Sequence, residues 1–281
     1  MIELIGHRLQ SYQVSDSRGQ EHALKEILQE LALYALWRAG FFKVAAFQGG
    51  TALRILHQLP RFSEDLDFIL QEPDPNFEWS PYLNRLLEVL ADFGVDCELV
   101  DRTNKNRAVR HAMLKDDSIG RQLDLSFFNE SGGIRKKLKV KLEIDTNPPE
   151  GSCFEYSYLD FPLDFELTVQ DLPSNFALKI HALLCRPYLK GRDWFDFGWY
   201  IRQGVTPNIS LIAAALAQSG PWAQQQIEVN REWLQEALKK KIQSIDWQQA
   251  AEDVAPFLIS AEQASLTLWS ERFFINKLEK L

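Results

Sequence analysis

The sequence predicts an α+β fold followed by an α-helical C-terminal domain. Three observations carry that prediction. Between residues 41 and 145 short apolar runs interleave with helical segments, the pattern of a mixed sheet with flanking helices. After Leu172-Pro173 nearly every segment to Leu281 has helical spacing. The chain has 281 residues, enough for two domains. The change of character sets the expected boundary near residue 170, giving a mixed domain over 1–170 and a helical domain over 171–281.

The elements follow in order. Residues 21–38 place Leu24, Ile27, Leu28, Leu31 and Ala35 at helical spacing, and Gly40 ends that helix. Phe41–Phe47 is a β-rich apolar run and predicts a strand. A short helix, Thr51–Gln58, follows the double glycine. Leu66–Leu70 predicts a strand that stops at the Pro-containing loop Gln71–Asn76. Ser80–Phe93 predicts a helix with Leu83, Leu86, Leu87 and Leu90 on one side, capped by Ser80 or Asn76 and closed by Gly94. Strands are expected at about 95–101, 109–115, 121–128 and 136–145, with a turn at Asn129–Gly133. In the last of these Val140, Leu142 and Ile144 alternate with Lys141, Glu143 and Asp145. Pro148-Pro149-Glu150-Gly151 breaks the pattern. Ser174–Arg186 then reads as a helix apolar nearly all round, hence buried, with Ser174 as N-cap.

Composition excludes several classes. Hydrophobic residues make up 46% of the chain and charged residues 25%, as in an ordinary globular protein rather than a disordered one. Eight Trp and eighteen Phe imply sizeable cores. The three cysteines, Cys97, Cys153 and Cys185, are odd in number and far apart. They argue against a disulfide framework or a CxxC metal site and fit a reducing cytoplasm. No basic N-terminal region leads into an apolar core, and no run approaches the roughly 18 apolar residues of a membrane span. A cytoplasmic protein with no membrane partner is expected. The net charge of −8 weighs against nonspecific nucleic-acid binding. The charge is uneven, however: Arg102, Lys105, Arg107, Arg110 and His111 form one basic cluster, and Arg135, Lys136, Lys137, Lys139 and Lys141 another. They read either as a basic groove or as solvated strand ends.

The chemistry concentrates in Phe47–Phe68. Asp65 and Asp67 are separated by one apolar residue, so on a strand both carboxylates project from one face. Two convergent hard oxygen ligands suit Mg²⁺, which takes a few carboxylates together with substrate phosphates. Gly49-Gly50 turns between an apolar strand and a short helix. Its unhindered N–H groups at a helix N-terminus make a phosphate site, and Thr51 adds a hydroxyl. The plainer reading is a solvated strand face and a tight turn without a ligand. The combination at this spacing is rarer than either part and points to nucleotide chemistry. A third carboxylate assists when metal ions promote attack on an α-phosphate. The candidates are Glu143, Asp145 and Asp124, with Glu143 favoured because it sits deeper in its apolar run. Its plainer role is pairing with Lys141 or with a base on a neighbouring strand.

Lys179 interrupts the buried helix and needs an anionic partner or a route to water. It holds a phosphate as a point charge or snorkels, or it pairs with a core acid. In Lys190-Gly-Arg-Asp-Trp-Phe-Asp196, Asp193 and Asp196 share a helix face. Either Arg192 pairs with Asp196, or Asp193 orients Lys179 or the nucleotide with Lys190 or Arg192 near phosphate. The five histidines show no metal spacing, and no P-loop or G-x-G-x-x-G fingerprint is present.

These residues together resemble the AbiEii/AbiGii-type nucleotidyltransferase toxin family, within the DNA polymerase β-like nucleotidyltransferase superfamily. The matching runs are Gln48-Gly-Gly-Thr-Ala-Leu53, Arg61-Phe-Ser-Glu-Asp-Leu-Asp-Phe68, Ala177-Leu-Lys-Ile-His-Ala-Leu183 and Gly191-Arg-Asp-Trp-Phe-Asp196. The resemblance implies a polymerase β-like mixed sheet and Mg²⁺-dependent transfer of a nucleoside monophosphate from an NTP to an acceptor, often a tRNA 3′ end. It also implies a cognate antitoxin and a role in a toxin–antitoxin or phage-defence system. It assigns Asp65, Asp67 and Glu143 to the metal and Gly49, Gly50, Thr51, Ser63, Lys179 and Arg192 to the nucleotide. The catalytic set is Asp65, Asp67, Glu143, Lys179 and Asp193. Two alternatives stand beside this reading: a non-catalytic nucleotide-binding module of the same fold, and an NTP-dependent protein phosphoryl transferase.

Overall fold

The computed structural model describes residues 2–14, 16–101, 108–116, 118–123, 137–225 and 227–281. The chain forms two compact units. One comprises Met1–Leu56, Ser63–Pro148 and Tyr156–Val169; the other comprises His57–Phe62, Pro149–Glu155 and Gln170–Leu281.

The first unit is built on a seven-stranded mixed sheet. Its strands are β1 (Ala45–Gln48), β2 (Asp65–Leu70), β3 (Cys97–Asp101), β4 (Val109–Asp116), β5 (Leu138–Asp145), β6 (Phe154–Leu159) and β7 (Phe165–Gln170), in the order β3-β4-β5-β2-β1-β7-β6. β2 runs antiparallel to β1 on one side and parallel to β5 on the other. Helices α1 (Ile2–Ser11), α2 (Ser17–Arg38), α3 (Gly49–His57), α4 (Ser80–Asp92) and α5 (Ser118–Gln122) accompany the sheet. Alternation decides the layering: Leu66, Phe68, Leu142 and Ile144 are buried in one core with Leu24, Leu28, Leu31, Leu86 and Leu90 of α2 and α4. Asp65 and Asp67 of β2 and Lys141, Glu143 and Asp145 of β5 are only partly buried and so lie on the other face.

Three local expectations are corrected. Phe41–Lys43 is a turn of 3-10 helix rather than strand. Gly40 reverses the chain with φ +74°, and Phe41 packs edge-on against Phe68, ring centroids 4.9 Å apart. Strand begins only at Ala45. Residues 121 and 122 belong to helix α5 and not to a strand, because the buried Asp116 carboxylate caps that turn, accepting from the N–H groups of Ser118 (3.0 Å) and Ile119 (3.2 Å). The rest of the expected strand at 121–128, the turn Asn129–Gly133, Asp124, and Arg102, Lys105, Arg107, Arg135 and Lys136 lie outside the described residues. The N-cap of α4 is Trp79, with no side-chain cap, and Pro81 lies in its first turn. Two strands, β6 and β7, lie where the sequence analysis set none. β7 joins the sheet by parallel pairing with β1, Phe47 opposite Val169.

The second unit is helical: α6 (Leu172–Cys185), α7 (Gly191–Gln203), α8 (Ile209–Gln218), α9 (Arg231–Gln243), α10 (Trp247–Val254), α11 (Ser260–Gln263) and α12 (Glu271–Leu278). The cap of α6 is Asp171, which accepts from the Ser174 N–H at 2.9 Å, so Ser174 lies inside the first turn. The helix stops because Arg186 precedes Pro187 and takes an extended ψ of 128°. Asn208, Asn230, Asp246 and Ser270 cap later helices in the same way. Aromatic stacks fill the interior: Phe176 on Tyr200 with centroids 4.3 Å apart, and Trp247 on Phe274 at 4.1 Å. Among the described residues no helix is long and apolar enough to cross a membrane.

Candidate active site

In the first unit the two acids of β2 stand on the polar face of the sheet, as their spacing predicts. Gly49 opens α3 with φ +78°, a left-handed conformation that favours glycine. A Cβ on Gly49 would lie 2.6 Å from Asp67 Oδ2 and 3.0 Å from Asp67 Cβ. The Asp67 carboxylate therefore lies flat against the glycine turn, in space that any side chain at residue 49 would fill. Gly50 is buried beside it in the first turn of α3.

Register brings the third acid alongside. Asp67 pairs with Glu143 across the parallel β2–β5 ladder, and Asp65 with Lys141, across a strand spacing of roughly 4.8 Å. Glu143 is not an idle ligand: its Oε1 lies 2.8 Å from His111 Nδ1 and 2.6 Å from Lys141 Nζ. The plainer pairing role foreseen for it is thus realised. His111 reaches it because β4 sets that residue directly opposite Glu143. Asp145 is spent at the strand end, accepting from the Asn147 N–H at 2.9 Å. Among the described residues no three His, Cys, Asp or Glu side chains are gathered tightly enough to hold a metal ion by themselves. What the face offers is Asp65 and Asp67, a pair of hard oxygen donors of the kind that binds Mg²⁺ jointly with phosphates.

Of the expected nucleotide contacts, Thr51 takes another role. The Thr51 hydroxyl is fully buried and donates to the Asp65 carbonyl. It ties α3 to the start of β2 and has no proton left for a phosphate. Ser63 is half-buried, and its carbonyl accepts from Gln29 Nε2 at 3.1 Å. The basic clusters do not form one groove where they are described. Arg110 is buried and donates to the Pro75 carbonyl, Lys137 pairs with Glu98 at 2.7 Å, and Lys141 and His111 meet on Glu143.

In the second unit Lys179 is answered by two acids. Its Nζ lies 2.7 Å from Asp193 Oδ1 and 2.9 Å from Asp196 Oδ2. Arg61 then binds Asp196 with a two-pronged fork, Nε to Oδ1 at 2.6 Å and Nη2 to Oδ2 at 2.7 Å, and Arg186 stands 3.6 Å from Asp193. Burial raises the carboxyl pKa of Asp193, but Lys179, Lys190 and Arg186 together outweigh it and hold the group at about 2. Burial likewise opposes the Lys179 charge, and the two aspartates overturn that, raising its pKa. Of the two alternatives for this segment, the one that sets Asp193 against Lys179 is formed, and Asp196 is held by Arg61 and Lys179. Arg192 instead stacks its guanidinium over Phe257, 4.1 Å from the ring centroid. Sequence reasoning missed Arg61 as a network member. The available signal was an arginine between Pro60 and Phe62, together with a second acid on a helix otherwise crowded with aromatics.

The structure thus brings Gly49 against Asp67 and Asp67 beside Glu143 in the first unit, and Lys179 onto Asp193 in the second. The family model of the nucleotidyl transferase AbiEii toxin, type IV toxin–antitoxin system, matches residues 31–272. Two solved structures are similar. One is a candidate nucleotidyltransferase from H. pylori, 19% identical over 90% of this chain and 97% of that one, with a TM-score of 0.48. The other is JHP933 from Helicobacter pylori, 19% identical over 89% of this chain and 94% of that one, with a TM-score of 0.45. Comparison with curated proteins gives no match.

Proposed function

The chain belongs to the AbiEii nucleotidyltransferase toxin family of type IV toxin–antitoxin systems, and on that premise we propose that it transfers a nucleoside monophosphate from an NTP to an RNA acceptor, a tRNA 3′ end. The family is one of nucleotidyltransferases and implies a cognate antitoxin. The observation that carries the finer reading is the approach of Asp67 to Gly49: a carboxylate pressed against a glycine bend at the head of a helix, with Asp65 on the same face.

In this reading Asp65 and Asp67 hold Mg²⁺. When bound, the ion supplies charge neutralisation and polarisation at the reacting phosphate. Gly49 and Gly50 give the phosphates backbone N–H groups at the start of α3. Glu143 stands next to Asp67 with His111 and Lys141 at ion-pair distance from its oxygen, and serves as the third carboxylate, facing the acceptor hydroxyl. In the second unit, two of the three Lys179 N–H groups go to Asp193 and Asp196, and the third remains for a phosphate oxygen.

The test is a paired labelling. Wild-type protein, total RNA, Mg²⁺ and each NTP are incubated with label at either the α- or the γ-phosphate. The α-label is expected on RNA, falling at least about 100-fold in Asp67→Ala, and the γ-label is expected to be lost as pyrophosphate. Transfer of the γ-label to protein would mark a phosphoryl transferase instead. Transfer of neither label, or undiminished transfer by Asp67→Ala, removes the proposal.

A further inference from the structure

We propose that a cavity of about 280 Å³ in the second unit, lined by Arg186, Tyr188, Lys190 and Lys241, is a binding site for a nucleoside phosphate, the cations holding phosphate and the tyrosine stacking on the base. The inference deepens the nucleotidyltransferase reading and rests on it for the identity of the ligand class. Its physical basis is an imbalance of charge. Two acids, Asp193 and Asp246, line the same cavity. Asp193 is already committed to Lys179 at 2.7 Å, and Asp246 caps α10 by accepting from the Gln249 N–H at 3.0 Å. Around them, the five cations Arg61, Lys179, Arg186, Lys190 and Lys241 face three acids, Asp193, Asp196 and Asp246, so two positive charges are left in excess.

Among the described residues neither the Lys190 nor the Lys241 ammonium has a carboxylate within ion-pair distance, and Lys241 Nζ instead donates to the Arg186 carbonyl at 3.2 Å. Burial pushes the Lys190 pKa down, as expected for a cation withdrawn from water without a full counter-charge. An anion entering the cavity relieves that cost. Tyr188 is 63% exposed, and the Arg186 guanidinium lies 5.0 Å from its ring centroid. With one face held by a cation, the other faces solvent as a stacking platform. A polar concavity with unpaired cations and an open aromatic ring suits a phosphate joined to a flat base, and it fits neither an apolar ligand nor a cation.

The shared chemistry has two sources, the NTP and the RNA, and the experiment separates them. Full-length protein is titrated without divalent ion, so that nothing turns over, against a trinitrophenyl-ATP probe and against a 5′-fluorescein single-stranded oligoribonucleotide. Lys190→Gln with Lys241→Gln is expected to weaken one of the two probes about tenfold and to flatten its salt dependence. Tyr188→Ala is expected to weaken the same probe, and Tyr188→Phe to restore it. Because Tyr188 is exposed, its variants test the site even if the lysine variants lose the fold, which melting temperatures report. Loss confined to trinitrophenyl-ATP places the donor nucleotide there, and loss confined to the oligoribonucleotide places the acceptor. If both probes bind every variant as tightly as wild type, or neither binds wild type, the site is rejected. That outcome beside a wild type that transfers α-label leaves the activity standing. Weakened binding in a chain that transfers no label leaves the site standing.

Discussion

Arg61 binds Asp196 through both arms of its guanidinium, at 2.6 and 2.7 Å, and the two side chains are 3% and 0% exposed. Arg61 lies four residues before the acids of β2, and Asp196 ends the last of the four motif runs. The fork neutralises an acid that Lys179 shares, so one buried ion pair fixes the position of another. Planar, two-pronged recognition of a carboxylate is a property of arginine that lysine lacks.

Arg61→Ala strands Asp196 in the interior with only half its counter-charge. Removing one partner of a buried pair costs about 3–5 kcal/mol, and the urea midpoint is expected to fall accordingly. Arg61→Lys falls between the two, since one ammonium cannot span both oxygens. An unchanged midpoint in Arg61→Ala contradicts a structural role for the fork.

Gly49→Ala introduces two faults at once. The left-handed φ of +78° costs an alanine about 1 kcal/mol, and the new methyl collides with the Asp67 carboxylate. α-Label transfer is expected to drop at least about 100-fold, a loss far larger than the accompanying fall in melting temperature implies. Retained transfer in a folded Gly49→Ala protein separates Asp67 from the chemistry.

Acid sensitivity follows from Asp193. Burial raises its carboxyl pKa, Lys179, Lys190 and Arg186 together override that, and the group sits at about 2, below its usual 3.8. Its contribution to stability is fully present above pH 3.8 and is lost as the pH falls through 2. Unfolding midpoints measured from pH 5 down to pH 2.5 should decline in wild type and decline less steeply in Asp193→Asn, which starts lower because Lys179 has lost an acid. Parallel curves would contradict the assignment.

Glu30 has the opposite sign. It is almost fully buried and held by Arg8, with Nε to Oε2 at 3.1 Å. Desolvation outweighs the arginine and raises its carboxyl pKa from 4.5 to about 7. A raised carboxyl pKa contributes stability that is full below 4.5 and lost as the pH rises through 7. Glu30→Gln cannot titrate, so it is expected to lose less stability than wild type between pH 4.5 and 8, a gap of up to about 3 kcal/mol. Equal slopes for the two proteins would rule this out.

Much of the sheet was legible because period-two alternation is local. Val140, Leu142 and Ile144 turn inward and Lys141, Glu143 and Asp145 outward, and the shared face of Asp65 and Asp67 follows from the same rule. What escaped depends on partners distant in sequence. β7 exists through its pairing with β1, more than a hundred residues earlier. Thr51 reads as a free hydroxyl until the Asp65 carbonyl is set beside it, and Glu143 as an open acid until register brings His111 across from it. Asp116 reads as a strand residue, yet its carboxylate starts a helical turn. Arg61 gave only an indirect signal, because the acid that needs it is 135 positions away.

Strand β2 is clamped on both edges, by an antiparallel neighbour and by a parallel one. A slip of one position would bury Asp65 and Asp67 among leucines and push Leu66 and Phe68 into water, and both ladders would have to rearrange together. Drift by insertion or deletion is therefore closed to this segment. Descendants of the chain can alter their chemistry there only by exchanging one side chain for another on an unmoving track.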